Sequence, residues 1–148
     1  MRVGFISRLM LVLMCAVTAC SLPGQAQRPV SGKHRIVLEV TVAGADAWKA
    51  ILRNVRAVQT VFGVSGCEIE VVGHGPGIGM MLNSNAERDA MRALTTDTGV
   101  VFAACANSLR LRNIRREEVL PFCVVVDSAY AELVRKQEAG WAYIKAGL

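Results

Sequence analysis

Segments typical of β-strands alternate with segments typical of helices along most of this 148-residue chain, and this alternation restricts its fold more than any other feature. Runs rich in β-branched or apolar residues predict strands, and apolar residues at helical spacing predict helices. The predicted strands are residues 34–42, 67–72, 99–105, 123–126 and 141–145. The predicted helices are residues 46–62, 86–94, 107–113 and 127–139. This order predicts an α/β fold with a mostly parallel sheet of about five strands between layers of helices.

Two of the predicted strands have contrasting patterns. Residues 99–105 form an uninterrupted apolar run, which predicts a central strand covered on both faces. Apolar and acidic residues alternate in 67–72, which predicts an edge strand with one face in water. Ligand sites in parallel sheets lie beyond the C-terminal ends of the strands. We therefore expect the functional site in the loops that follow residues 42, 73 and 104.

The N-terminal segment has the pattern of an export signal. Two arginines precede an apolar stretch of 11 residues, 9–19, whereas a membrane-spanning helix needs about 20 residues. We predict a signal peptide at 1–26, a linker at 27–33 and one domain at 34–148, in a protein exported to the periplasm. Two cleavage sites are open: one before Cys20, which resembles a bacterial lipobox and would make Cys20 a lipidated N-terminus, and one after Ala26.

The charge distribution argues against a nucleic-acid-binding protein. The chain has a net charge of +5, but five of its 17 basic residues and none of its 12 acidic residues lie in the first 35 positions. The remaining 12 basic and 12 acidic residues leave the domain neutral. Nucleic-acid binders concentrate positive charge on the folded surface, so we expect no nucleic-acid partner.

The glycine-rich segment 73–79, GHGPGIG, does not match a nucleotide-binding loop. Its glycines are spaced by two, and no Lys-Ser or Lys-Thr pair follows them. The segment is either a tight structural turn or a place where the backbone approaches a ligand or another subunit, through His74, Gly75 and Gly77. The chain has only two histidines and no Cys-x-x-Cys pair, so we expect no metal site and no cofactor. Glu39, in an apolar strand, is either an acid with a raised pKa or a residue at the sheet margin.

Cys105 follows the predicted central strand and directly precedes a predicted helix. The N-terminus of a helix presents unpaired N–H groups and a partial positive charge. Both stabilise a thiolate and lower the pKa of the thiol. Arg110 lies close enough along the chain to add positive potential. The alternative is that Cys105 is a small apolar residue that closes the strand.

Three segments resemble the DsrE/DsrF/TusD sulfur-relay family: GVVFAACANSLR (99–110), EIEVVGHGPGIGMML (68–82) and RKQEAGWAYIK (135–145). The resemblance extends over about residues 34–146. It implies a flavodoxin-like three-layer α/β/α fold and a homo-oligomer, commonly a trimer or hexamer. It also implies that Cys105 carries sulfur as a persulfide, with Asn107 and Arg110 where the loop of the family continues.

These features together predict an exported DsrE-like protein whose Cys105 takes sulfane sulfur from a donor protein and passes it to an acceptor. The glycine-rich segment and residues 141–143 would shape the pocket or a subunit interface. Contact with the membrane is expected only through the signal or a lipid anchor. The alternative is a non-catalytic oligomeric subunit that binds a small ligand or acts as a scaffold, because an oxidising compartment is hostile to a reactive thiol.

No disulfide is expected within the domain. Cys67 and Cys123 begin their predicted strands and Cys105 ends its own, which places Cys105 at the opposite end of the sheet. In the flavodoxin-like strand order 2-1-3-4-5, two other strands separate those of Cys67 and Cys123. A disulfide tolerates Cα atoms only about 7 Å apart.

Overall fold

The computed structural model describes residues 32–147. The predicted signal peptide, most of the linker and Cys20 lie outside the described residues. The strands are β1 His34–Val40, β2 Cys67–Gly73, β3 Val101–Cys105, β4 Val124–Val126 and β5 Ala142–Ala146. The α-helices are α1 Ala45–Phe62, α2 Arg88–Thr98, α3 Ala106–Leu111 and α4 Ala129–Glu138, with 3-10 helices at Gly75–Met81 and Arg116–Glu118. None of the helices in 32–147 is long and apolar enough to span a membrane.

The five strands form one parallel sheet in the order β4-β3-β2-β1-β5. The α/β class, the parallel sheet and its helix layers are therefore confirmed. The order 2-1-3-4-5 is wrong, because β2 pairs with both β1 and β3 and lies at the centre of the sheet. The short β4 and the largely exposed β5 are the two edges.

The edge position predicted for β2 is wrong for a physical reason. Its residue Glu70 is only 4% exposed and forms an ion pair with Lys136 of α4. A buried carboxylate is tolerated where a basic partner reaches it. The acidic residue that looked like a solvent-facing position is thus part of the interior.

The helices cover the two faces of the sheet unequally. Helix α1 buries Ile51, Leu52 and Val55 on one face, together with apolar residues of α2. The opposite face is covered by α4, whose Ala129 and Leu133 pack on four sheet residues. Those sheet residues are Val37, Val72, Ala103 and Cys105.

The parallel register brings the C-terminal ends of the three central strands to one edge. Val40 of β1 pairs with Gly73 of β2, and Gly73 pairs with Ala104 of β3. Strand β3 is covered on both faces at its last four residues, as predicted. The candidate site therefore lies at the C-terminal end of the sheet, beyond Gly73 and Ala104.

The three cysteines of the described residues are free. Cys105 lies at the end of the sheet opposite Cys67, as predicted from strand direction. Since β3 alone separates β2 from β4, Cys67 and Cys123 are closer than the predicted order implied. Two strand spacings still amount to about 10 Å, more than the roughly 7 Å that a disulfide spans.

Candidate functional site

Cys105 is the last residue of β3 and the residue that caps the N-terminus of α3. It is buried, with 3% of its surface exposed. The backbone N–H of Ala129, the first residue of α4, donates a hydrogen bond to its Sγ at 3.3 Å. Two helices therefore begin beside this thiol, where the sequence predicted one.

The surroundings of Cys105 favour its thiolate. Burial raises the pKa of the thiol, but hydrogen bonds from the Ser108 hydroxyl and from the backbone N–H groups of Ser108, Ala129 and Asn107 lower it by more. The pKa of Cys105 is therefore below its ordinary value.

The other two described cysteines have the opposite character. Burial raises the pKa of Cys67 above its ordinary value and raises that of Cys123 to about 12. The Sγ of Cys67 donates to the carbonyl of Gly63 at 3.3 Å, which stabilises the protonated thiol. Within residues 32–147, Cys105 alone has a lowered thiol pKa.

Ser108 connects the thiol to the glycine-rich segment. Its hydroxyl lowers the pKa of the Cys105 thiol and accepts the backbone N–H of Gly75 at 3.0 Å. Gly75 has φ +52, a left-handed conformation that favours glycine. Ser108 was not among the candidate residues predicted from the sequence. Its position three residues after a cysteine at a helix start could have indicated it.

A second polar group lies next to this one and is built around Glu39. The Glu39 Oε1 is 2.7 Å from His74 Nε2, and the Tyr143 hydroxyl donates to Glu39 Oε2 at 2.5 Å. Glu39 and His74 are 7% and 8% exposed. The ring of His74 also packs edge-on against Tyr130 of α4, with the ring centroids 5.2 Å apart.

Glu39 is ionised in this arrangement. Burial raises the pKa of its carboxyl, but the hydrogen bonds of Tyr143 and His74 and the charges of His74 and Lys145 lower it below its ordinary value. The expectation of an acid with a raised pKa is therefore wrong. The same hydrogen bond raises the pKa of Tyr143.

Two other predicted ligand residues, Asn107 and Arg110, lie near the site but are exposed to solvent. Asn107 and Arg110 bind each other through Oδ1 and Nη2 at 2.5 Å on the exposed side of α3. The groups that lower the Cys105 pKa are hydrogen-bond donors of the backbone and of Ser108, rather than the Arg110 guanidinium. The backbone N–H of Asn107 donates to the Asp127 carbonyl at 3.3 Å and also lowers the pKa of Cys105.

Gly77 is packed against β1. A Cβ added there would lie 2.2 Å from the carbonyl oxygen of Val40 and 3.0 Å from the Cα of Thr41. Close approach of two backbones therefore accounts for this glycine. Across residues 32–147 there is no cluster of three or more histidine, cysteine or acidic side chains that could hold a metal ion.

Comparisons with known proteins identify the family. The model of the DsrE/DsrF-like family matches residues 36–146. The chain is similar to the solved structure of a protein of unknown function, MTH1491, from Methanobacterium thermoautotrophicum, with 28% identity, a TM-score of 0.71 and coverage of 76% of this chain and 99% of that one. The ychN protein from E. coli shares the fold, with a TM-score of 0.57 at 14% identity over 77% and 98% of the two chains. No curated protein matches the chain. The family match covers all five strands except the first two residues of β1, it includes Cys105, and the chain belongs to the DsrE/DsrF-like family.

Proposed function

We propose that this protein is an exported sulfur carrier in which Cys105 holds sulfane sulfur as a persulfide. Membership of the DsrE/DsrF-like family suggests a function related to sulfur relay. The observation that carries the persulfide proposal is the hydrogen bond from the Ala129 N–H to Cys105 Sγ at 3.3 Å. Together with the donors of Ser108 and Asn107 it lowers the pKa of this thiol alone among the described cysteines. The thiolate is the form of cysteine that attacks a sulfur–sulfur bond.

The proposed step needs no oxidant or reductant. The Cys105 thiolate attacks the terminal sulfur of a donor persulfide, a new sulfur–sulfur bond forms, and the donor's own sulfur–sulfur bond breaks. The donor leaves as a thiolate and takes up a proton, while Cys105 becomes a persulfide. The N–H donors that face Sγ also suit the negative charge of an ionised persulfide.

Exposure to polysulfide followed by intact-mass measurement tests this proposal. We expect the parent protein to gain about 32 Da, the mass of one sulfur atom, and the C105S variant to gain nothing. Cys67→Ser is the matched control, because it removes a buried cysteine with a raised pKa at the other end of the sheet and should leave the gain unchanged. A parent protein that gains no sulfur, or a C105S variant that gains as much, overturns the proposal.

The burial of Cys105 favours a second candidate function. With only 3% of its surface exposed, the residue also suits a structural role in a non-catalytic subunit that binds a small ligand or acts as a scaffold. A nitroaryl disulfide in excess distinguishes the two. A carrier reacts at Cys105 in the folded state, whereas a structural cysteine reacts only after denaturation.

We also propose that the mature protein is held in the periplasm by a lipid on Cys20. The proposal depends on the lipobox-like residues 17–20, directly after the apolar stretch of the signal. Expression in a bacterial host, membrane fractionation and intact-mass analysis test it. A lipidated chain that begins at Cys20 is expected, and a water-soluble chain that begins at Gln27 would show cleavage at the second site.

We propose self-association, and the apolar surface around α4 supports it, while the trimer or hexamer is implied only by the family resemblance. Val101 and Val124 lie on the face of the sheet that α4 covers, because Val124 pairs with Ala103 in the register. They are 37% and 46% exposed. Tyr130 and Val134, one turn apart on α4, are 69% and 51% exposed. Exposed apolar patches of this kind mark interaction surfaces.

A further inference from the structure

His74 lies beside Cys105 at the C-terminal edge of the sheet. Gly73 pairs with Ala104, and the backbone of His74 remains extended, so His74 and Cys105 are the next neighbours on adjacent strands. Val72 and Ala103, two residues earlier on each strand, both pack under α4. Because side chains alternate along strands, the side chains of His74 and Cys105 project from that same face.

Two further sets of contacts connect His74 with Cys105, and they do not depend on the register of the strands. Gly75, the residue after His74, donates its N–H to Ser108, whose hydroxyl lowers the pKa of the Cys105 thiol. Tyr130, which packs on the His74 ring, directly follows the residue whose N–H reaches Cys105 Sγ. The imidazole and the thiol therefore share one small region between β2, α3 and α4.

The ring of His74 is held by one nitrogen and free at the other. The ionised Glu39 carboxylate can only accept, so Nε2 carries a proton and donates it to Oε1 at 2.7 Å. Glu39 is itself fixed by the Tyr143 hydroxyl. Nδ1 has no hydrogen-bond partner among the described residues. It is also not fully buried, so it reaches solvent.

We propose that His74 is a general acid that protonates the thiolate displaced when Cys105 attacks a sulfur–sulfur bond. The imidazolium, protonated from solvent, gives its Nδ1 proton to the leaving sulfur and becomes neutral imidazole. Glu39 is a positioning residue that orients the ring through its hydrogen bond with Nε2. The inference deepens the sulfur-carrier proposal, since it assigns the proton that the departing donor requires.

Bonds, electrons and protons balance in this step. The Cys105 thiolate forms one sulfur–sulfur bond while the donor's bond breaks, and the electron pair of the broken bond leaves on the donor sulfur. The proton from His74 neutralises that sulfur, so thiolate and imidazolium are consumed together and nothing is oxidised or reduced overall. Thiolates of high pKa are poor leaving groups, and protonation helps them most.

The dependence of rate on the leaving group tests this role. We compare reaction of Cys105 with an alkyl disulfide, which releases a thiolate of high pKa, and with a nitroaryl disulfide, which releases one of low pKa. H74Q keeps an amide that can reach Glu39 but cannot release a proton. We expect it to slow the alkyl reaction by at least about tenfold and to change the nitroaryl reaction by less than about twofold.

His34 provides the matched control, because it is the other histidine of the chain and stacks on Phe62 at the opposite end of β1. H34Q should leave both rates unchanged, and E39Q should reproduce the selective loss in weaker form. Equal slowing of both reactions in H74Q, or no slowing, overturns the inference. A selective loss in H74Q, in a protein that takes up no sulfur from polysulfide, upholds the role of His74 and refutes the sulfur-carrier proposal.

Discussion

Replacement of Gly77 by alanine tests whether the glycine-rich segment is fixed by packing on β1. The added Cβ would lie 2.2 Å from the oxygen and 2.6 Å from the carbon of the Val40 carbonyl, where ordinary contact begins at 3.4 Å. The crowded atoms are backbone, so no side chain can swing away. The segment would have to move by about 1 Å, and overpacking of this kind costs about 3 kcal/mol.

Gly75 is the matched control for this substitution, because it lies two residues away in open space. A Cβ there would meet nothing within 4 Å, but φ is +52, so alanine costs only the left-handed conformation, about 1 kcal/mol. At roughly 4 °C per kcal/mol for a domain of this size, G77A should lower the Tm by about 12 °C and G75A by about 4 °C.

Urea unfolding followed by circular dichroism, together with thermal melts, gives both differences. We expect G77A to be less stable than G75A by about 2 kcal/mol. A G77A variant as stable as the parent, or no less stable than G75A, would refute the packing argument. Gly77 would then be better explained as a contact for a ligand or another subunit.

Three further outcomes are expected. S108A should raise the pKa of Cys105, because it removes one of the donors that favour the thiolate, and an unchanged midpoint in the pH profile of iodoacetamide alkylation would contradict this. Burial raises the pKa of Glu70, so its contribution to the free energy of unfolding is present below its ordinary pKa of 4.5 and is lost as pH rises through the raised value. Urea unfolding should therefore show a larger stability advantage of the parent over E70Q below pH 4.5 than at neutral pH, and the reverse order would refute the sign. V134K should dissociate the proposed oligomer in light scattering with size exclusion, while L111K, at an even more exposed apolar position of α3, leaves it intact. Equal effects of the two substitutions would place the interface elsewhere.

Much of the fold could be predicted from the sequence because local patterns determine it. Strands β1 and β3 and helix α1 have clear sequence patterns, and the structure places them within a few residues of the predicted bounds. Since parallel strands share a direction, the position of Cys105 at the C-terminal end of the sheet could be predicted from the pattern of β3 alone. These predictions need no knowledge of which strands are neighbours.

The order of the strands could not be predicted in the same way, because it depends on contacts distant in sequence. The alternation in β2 resembled an edge strand, since the pattern does not reveal that Lys136 reaches Glu70 from α4. The sequence also does not show whether β4 is a central strand or an edge strand, and in the structure it is an edge strand with Val124 exposed. A run of three valines fits either environment.

The candidate residues named from the sequence include Cys105, His74 and Gly75, which the structure brings to the same end of the sheet. Ser108 and the N–H of Ala129 were missed because they act through hydrogen bonds to one sulfur atom from two different helices. The contact between Glu39 and Tyr143 joins residues 104 positions apart in the chain. Such contacts follow from the sheet register rather than from local pattern.

Peptide-level mass spectrometry of the polysulfide-treated protein shows whether Cys105 is the one thiol that carries sulfur. The folded protein is alkylated after treatment, digested without reductant, and the sulfur content of the peptides of Cys67, Cys105 and Cys123 is compared. We expect one added sulfur on the Cys105 peptide. We expect essentially none on the peptides of Cys67 and Cys123, whose thiol pKa values are raised by burial. Sulfur spread equally over the three peptides, or found only on Cys67 or Cys123, would contradict it.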